Sequence, residues 1–90
     1  MSFSPLKLKY HPYFLTSVVV RRPYLTEQMI ENVLLHFEEK TIQENGRIAY
    51  NGYDIQAKKF LKVIIEIVGQ DQLVFNAYYD RSYKTKSARK

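Results

Sequence analysis

Arg81 and Tyr83 stand one residue apart, just past the last apolar run of the chain, Leu73-Val74-Phe75-Asn76-Ala77-Tyr78-Tyr79. Lysines flank that point in the sequence, with Lys58, Lys59 and Lys62 before it and Lys84 and Lys86 after it, while Arg47 lies further upstream. Cations and phenols of this kind can handle a phosphodiester without a metal. RNA brings its own nucleophile, the 2′-hydroxyl. A protein must then supply a base for that proton, an acid for the leaving 5′-oxygen and fixed positive charge for the phosphorane. Arginine suits the last role, because its fork matches phosphate bidentately and stays charged. Tyr78 and Tyr83 could stack an unpaired base. The same residues read equally well as a solvated strand end, since tyrosine also fills half-buried positions with an amphipathic ring.

Other chemistries find few residues to use. The chain has no cysteine, which removes disulfides, thiolate nucleophiles and cysteine-ligated zinc. His11 and His36 are far apart and lack carboxylates at ligand spacing, so they read as structural or exposed side chains rather than metal ligands. No Gly-rich phosphate loop or other cofactor motif is present, and the expectation is a protein without metal or cofactor. The net charge of +5 is unevenly placed: residues 81–90 hold five basic groups and no acid, leaving nine of each sign in residues 1–80. A short basic tail attracts phosphate or acidic protein surfaces without selecting among them, or merely keeps the chain in solution. We expect one domain over residues 1–84 and a disordered basic tail at 85–90. No apolar run approaches the ~18 residues of a membrane span, and the start lacks the blocks of a signal peptide. The expectation is therefore a soluble, cytoplasmic protein with no membrane partner.

The elements that must position these groups centre on residues 60–83. Phe60-Leu61-Lys62-Val63-Ile64-Ile65-Glu66-Ile67-Val68 is β-branched and puts Lys62 and Glu66 on one parity, the less buried face. Val68-Gly69-Gln70-Asp71-Gln72 then turns it into the last strand, an antiparallel hairpin. On that strand Asn76 and Tyr78 oppose Phe75, Ala77 and Tyr79, and only one set can face a helix layer. Upstream, Leu6-Lys7-Leu8-Lys9-Tyr10 suits a short edge strand. Residues 12–22 are read as helix although Val18-Val19-Val20 favours strand. Pro23 ends that segment, and Thr26 caps a second helix in which Met29, Ile30, Val33, Leu34 and Phe37 form the buried stripe. Gln43-Glu44-Asn45-Gly46 is a turn into a strand at 47–53, with Ile48 and Tyr50 on one face and Arg47 on the other. The order β-α-α-β-β-β predicts an α+β two-layer sandwich, helices on one face of a three- to four-stranded antiparallel sheet.

Several stretches in that order carry a resemblance. Tyr10-His11-Pro12, Arg21 to Glu27 with the helix at 30–34, Asn45-Gly46-Arg47, Phe60 to Ile65 and Phe75 to Arg81 resemble a group of small bacterial and cyanobacterial proteins similar to the RelE/ParE and BrnT toxins. The likeness spans most of residues 10–84 and lies in element order and loose motifs. It implies a RelE-like sandwich and a toxin that cuts RNA without metal, held in check by an acidic antitoxin protein. By the resemblance Arg81 and Tyr83 belong to the RNA site, with Arg47 and Lys62 as phosphate contacts. The catalytic set expected on this basis is Arg81 and Arg47 for transition-state charge and Tyr83 for proton transfer. Lys58, Lys59, Lys62, Lys84, Lys86 and Tyr78 would bind RNA. Two other functions fit the same residues: a noncatalytic module for nucleic acid or an acidic protein, and a homodimer built by self-pairing of an edge strand at 6–10 or 47–53.

Overall fold

The computed structural model describes residues 8–83. Leu6 and Lys7 of the expected first strand, together with Lys84, Lys86 and the tail at 85–90, lie outside the described residues. In chain order the elements are β1 (Lys9–Tyr10), a π-helical stretch (Phe14–Val18) running into one α turn, α1 (Val19–Arg21), then α2 (Glu27–His36), β2 (Glu39–Ile42), β3 (Ile48–Asp54), β4 (Lys59–Val68) and β5 (Asp71–Tyr79). The strands form one sheet in the order β1-β5-β4-β3-β2. The fold is α+β, with a five-stranded mixed sheet.

Two short strands separate this sheet from the three to four antiparallel strands expected. Glu39-Lys40-Thr41-Ile42 shows no apolar alternation, yet it is held as β2 by antiparallel pairing with β3 from Glu39 opposite Asn51 to Ile42 opposite Ile48. β1 runs parallel to β5, with Lys9 opposite Leu73 and Tyr10 opposite Val74. A parallel pair needs a long crossover, and the rest of the chain supplies it. The homodimer edge expected at 47–53 is unavailable, because β3 is paired on both sides, with β2 and β4. Among the described residues no helix is long and apolar enough to cross a membrane.

The first helical segment overrides strand propensity through burial. Val18 is fully buried and Phe14 nearly so, and the Val19 N–H reaches back to the Phe14 carbonyl in the wide π turn. α2 starts where expected. The Thr26 hydroxyl accepts from the Met29 N–H at 3.1 Å, a cap that contributes about 1 kcal/mol. Ile30 and Val33 of α2 are buried, while Phe37, expected to end the stripe, is 41% exposed and rests its ring against Tyr50. Phe37 already has extended backbone, which swings it off the helical face.

Phe14, Val18, Ile30 and Val33 cover Leu61, Val63 and Ile65 of β4 and Val74 and Ala77 of β5. Each such side chain contributes roughly 1.5–3 kcal/mol when fully buried. Gly52 permits the close approach of α2 to the sheet, since a Cβ there would lie 3.2 Å from the Val33 Cα. Lys62 and Glu66 take the opposite face as expected. On β5, Ala77 and Tyr79 pair with Val63 and Leu61, and Asn76 and Tyr78 with Ile64 and Lys62. A bulge between Ile64 and Ile65 leaves Phe75 out of this alternation. Its ring meets His11, Tyr13 and Arg47 instead of joining Ala77 and Tyr79.

Candidate nucleic-acid interface

β1 covers the edge of β5 only at Leu73 and Val74, so the edge from Phe75 onward has no strand neighbour among the described residues. The turn after the first helical segment comes to lie there. Arg22 ends that segment, its N–H bonded to the Val18 carbonyl at 2.8 Å, and Pro23 forbids further helix by pushing the preceding residue to extended backbone. The Arg22 guanidinium lies over the Tyr78 ring, 5.7 Å from its centroid. Tyr24 stacks on Tyr79 at 5.5 Å, nearly parallel.

The opposite wall comes from the β3–β4 turn. The Asp54 carboxylate accepts the Gln56 and Ala57 N–H groups at 3.1 and 3.3 Å and the Tyr79 hydroxyl at 2.7 Å. It thereby ties the turn to β5. Lys58, in left-handed backbone, and Lys59 follow, and the Lys59 ammonium lies 5.5 Å from the centre of the Tyr79 ring. Burial, with the Asp54 hydrogen bond and charge behind it, pushes the Tyr79 phenol up to about 12. It stays a neutral donor.

Arg81 completes the site from a turn that Asp80 organises. The Asp80 carboxylate accepts the Ser82 N–H at 3.1 Å and hydroxyl at 2.7 Å, and the Lys62 ammonium at 3.0 Å. Burial alone would raise this carboxyl, but Ser82 and Lys62 outweigh it and hold the group below the usual range. Arg81 is left exposed. Arg22, Tyr24, Lys59, Tyr78, Tyr79 and Arg81 line one cleft of about 450 Å³. Three cations and three tyrosines thus line one cleft at the sheet edge, with no carboxylate among its lining residues. A smaller cleft of about 280 Å³ adjoins it, shared by Lys58, Lys59 and Arg81 with Tyr83.

The expected catalytic set is only partly gathered. Arg81 and Tyr83 do meet in the smaller cleft, but the Tyr83 hydroxyl donates to Glu38 at 3.2 Å, and burial together with Glu39 and Glu38 raises its pKa well above the ordinary phenol value. That environment disfavours the phenolate a base requires. Arg47 is elsewhere, its Nε 3.6 Å from Glu66 Oε1 and its guanidinium 3.7 Å from the Phe75 ring centre. Glu66 and Lys62 are four strand residues apart, about 13 Å, so the expected convergence of Arg47 with Arg81 is not found. The reason is local: Glu66 lies beside Arg47 and pairs with its charge, without hydrogen-bonding the buried Nε. Lys62 sits opposite Tyr78 and is tied to Asp80. Lys84 and Lys86 lie outside the described residues.

Arg22, Tyr24 and Tyr79 were not among the expected site residues. A basic residue directly before the helix-ending Pro23 and an aromatic directly after it were the available signal. Another cleft, about 480 Å³, lies between α2 and the β3–β4 turn, lined by Gln28, Asn32, Gln56 and Tyr53 over Val33 and Leu61. It presents no cation to a phosphate. Among the described residues no group of three or more histidines and carboxylates could hold a metal ion. Comparison with protein-family models, curated proteins and solved structures finds no match to this chain.

Proposed function

We propose that this protein binds single-stranded RNA through the cleft formed by Arg22, Lys59 and Arg81. The observation that carries the reading is that these three cations line one cleft with Tyr24, Tyr78 and Tyr79, with no carboxylate among the lining residues. Phosphate contacts from arginine and lysine supply affinity, and tyrosine faces accept unpaired bases whatever their identity. Stacking requires splayed bases, so single strands are favoured over duplex.

Binding takes precedence over cleavage in this proposal. A toxin-like ribonuclease would ask for Arg47 and Tyr83 beside Arg81, and here Arg47 is ion-paired with Glu66 and the Tyr83 hydroxyl donates to Glu38. Purified protein incubated with a labelled single-stranded RNA in EDTA should retain it intact. Absence of binding at about 100 μM protein, the weak limit of nonspecific nucleic-acid affinity, sinks the proposal. Cleavage that disappears in Arg81→Ala would restore the toxin-like reading.

A further inference from the structure

We infer that the cleft takes the phosphorylated end of an RNA strand, a terminal phosphomonoester, rather than a phosphodiester within the strand; this rests on the RNA-binding reading above. Four basic groups elsewhere on the described surface sit against carboxylates: Lys9 meets Asp71, Lys62 meets Asp80, and Arg47 and His11 share Glu66. Arg21, Lys40 and Lys58 have no ion pair among the described residues, but they stand outside this cleft. What sets the cleft apart is that three such cations, Arg22, Lys59 and Arg81, line it together with no carboxylate among the lining residues. An internal diester brings one negative charge and would leave most of this positive charge uncompensated. A monoester brings about 1.5 to 2 negative charges near neutral pH and three strong acceptor oxygens, which matches three cationic donors.

A second observation comes from the surroundings of Arg22, whose half-buried guanidinium lies over the Tyr78 ring. Beside it, Tyr24 is 46% exposed and parallel to Tyr79, which offers a platform for the terminal base. The occupant that fits both features is a terminal nucleotide with its phosphate on Arg22, Lys59 and Arg81 and its base on Tyr24.

Fluorescence anisotropy with the full chain tests this, using one short RNA sequence carrying a 5′-hydroxyl, a 5′-phosphate or a 3′-phosphate, labelled internally. One phosphorylated end should bind about tenfold tighter than the unmodified strand near pH 7.5, and the advantage should shrink as pH falls through about 6, where the second proton returns. Arg81→Ala, at an exposed position, should remove the advantage, and so should Arg22→Ala, with Arg22→Lys retaining part of it. Equal affinity for all three strands overturns end recognition and leaves RNA binding standing. Equal affinity for a free nucleoside monophosphate and the phosphorylated strand also overturns it, by reducing the ligand to the nucleotide. No binding of any RNA removes both proposals.

Discussion

The two ends of β5 handle positive charge in opposite ways. At the Phe75 end, Arg47 and His11 close on the single carboxylate of Glu66, at 3.6 and 3.4 Å, and the Arg47 guanidinium lies flat on Phe75. The Tyr13 N–H donates to His11 Nδ1 at 3.0 Å, which turns Nε2 toward Glu66. The Arg47 charge and the Phe75 ring are partnered within the cluster, although Arg47 Nε and Glu66 Oε1 make no hydrogen bond there. At the Tyr78–Tyr79 end, Arg22 and Lys59 lie over aromatic faces, and Arg81 stands exposed. The carboxylates there, Asp54 and Asp80, are spent on turns, on a tyrosine hydroxyl and on Lys62. One region pairs its cations with a carboxylate, and the other gathers cations that have none within ion-pair distance among the described residues. Cation count alone therefore does not locate function; what matters is which cations have been given a carboxylate.

The sharpest way to break this comparison is to delete charge at each end and measure RNA affinity. The double change Arg22→Ala with Arg81→Ala should weaken binding by more than hundredfold, taking about 1.5–3 kcal/mol for each charged hydrogen-bonding group lost. Arg47→Ala should leave affinity within about twofold. If Arg47→Ala weakens binding as much as the double change, the ends are not distinct. Stability should show the reverse dependence. Glu66→Ala strands Arg47 and His11 in half-buried positions and should destabilise the fold by about 1–3 kcal/mol in urea denaturation, the cost of an unsatisfied buried polar partner. Lys59→Ala, exposed and without an ion pair, should change stability by no more than about 0.5 kcal/mol.

How much of this was legible beforehand depends on the range of the signal. The hairpin at 60–79, the Thr26 cap and the faces chosen by Ile48, Tyr50, Lys62 and Glu66 follow from local periodicity and capping chemistry, and they are found as expected. β2 was missed because its strand character is conferred by the β3 ladder rather than by its own four residues. Phe75 was assigned to the wrong set because a bulge shifts parity by one residue. The site was half visible: Lys58 and Lys59 at the start of β4 and Tyr78 and Arg81 at the end of β5 are brought together by a hairpin legible in the sequence, whereas Arg22 and Tyr24 reach them only through the return of the chain across the open edge of β5. Arg47 was misjudged for a related reason. Its partner Glu66 lies on the adjacent strand, and a one-dimensional charge count gives no pairing.

Smaller effects refine the same contrast. If each cleft cation makes one ionic contact to the bound strand, removing Lys59 or Arg81 should lower the slope of log K against log salt by about 0.7, the single-strand value per contact, and removing Arg47 should not change it. The subtlest test concerns the brace that holds the cleft open. Tyr79 donates to Asp54, and its phenol is raised from 10.0 to about 12. Because the folded-state value lies above the unfolded one, the stabilisation is fully present below about pH 10 and is lost as pH rises through about 12. Tyr10, raised to about 12 by burial and by Glu27 and Glu31, behaves alike, so the alkaline limb of the unfolding curve should contain both. Tyr79→Phe should make that limb shallower, remove one late-titrating phenol from the ultraviolet absorbance and weaken RNA binding several-fold through the loosened turn that carries Lys58 and Lys59. A Tyr79 phenol that titrates with the ordinary tyrosines near 10 would mean that Asp54 does not hold the ring in solution. The cleft would then have to be ordered by its ligand rather than by the fold.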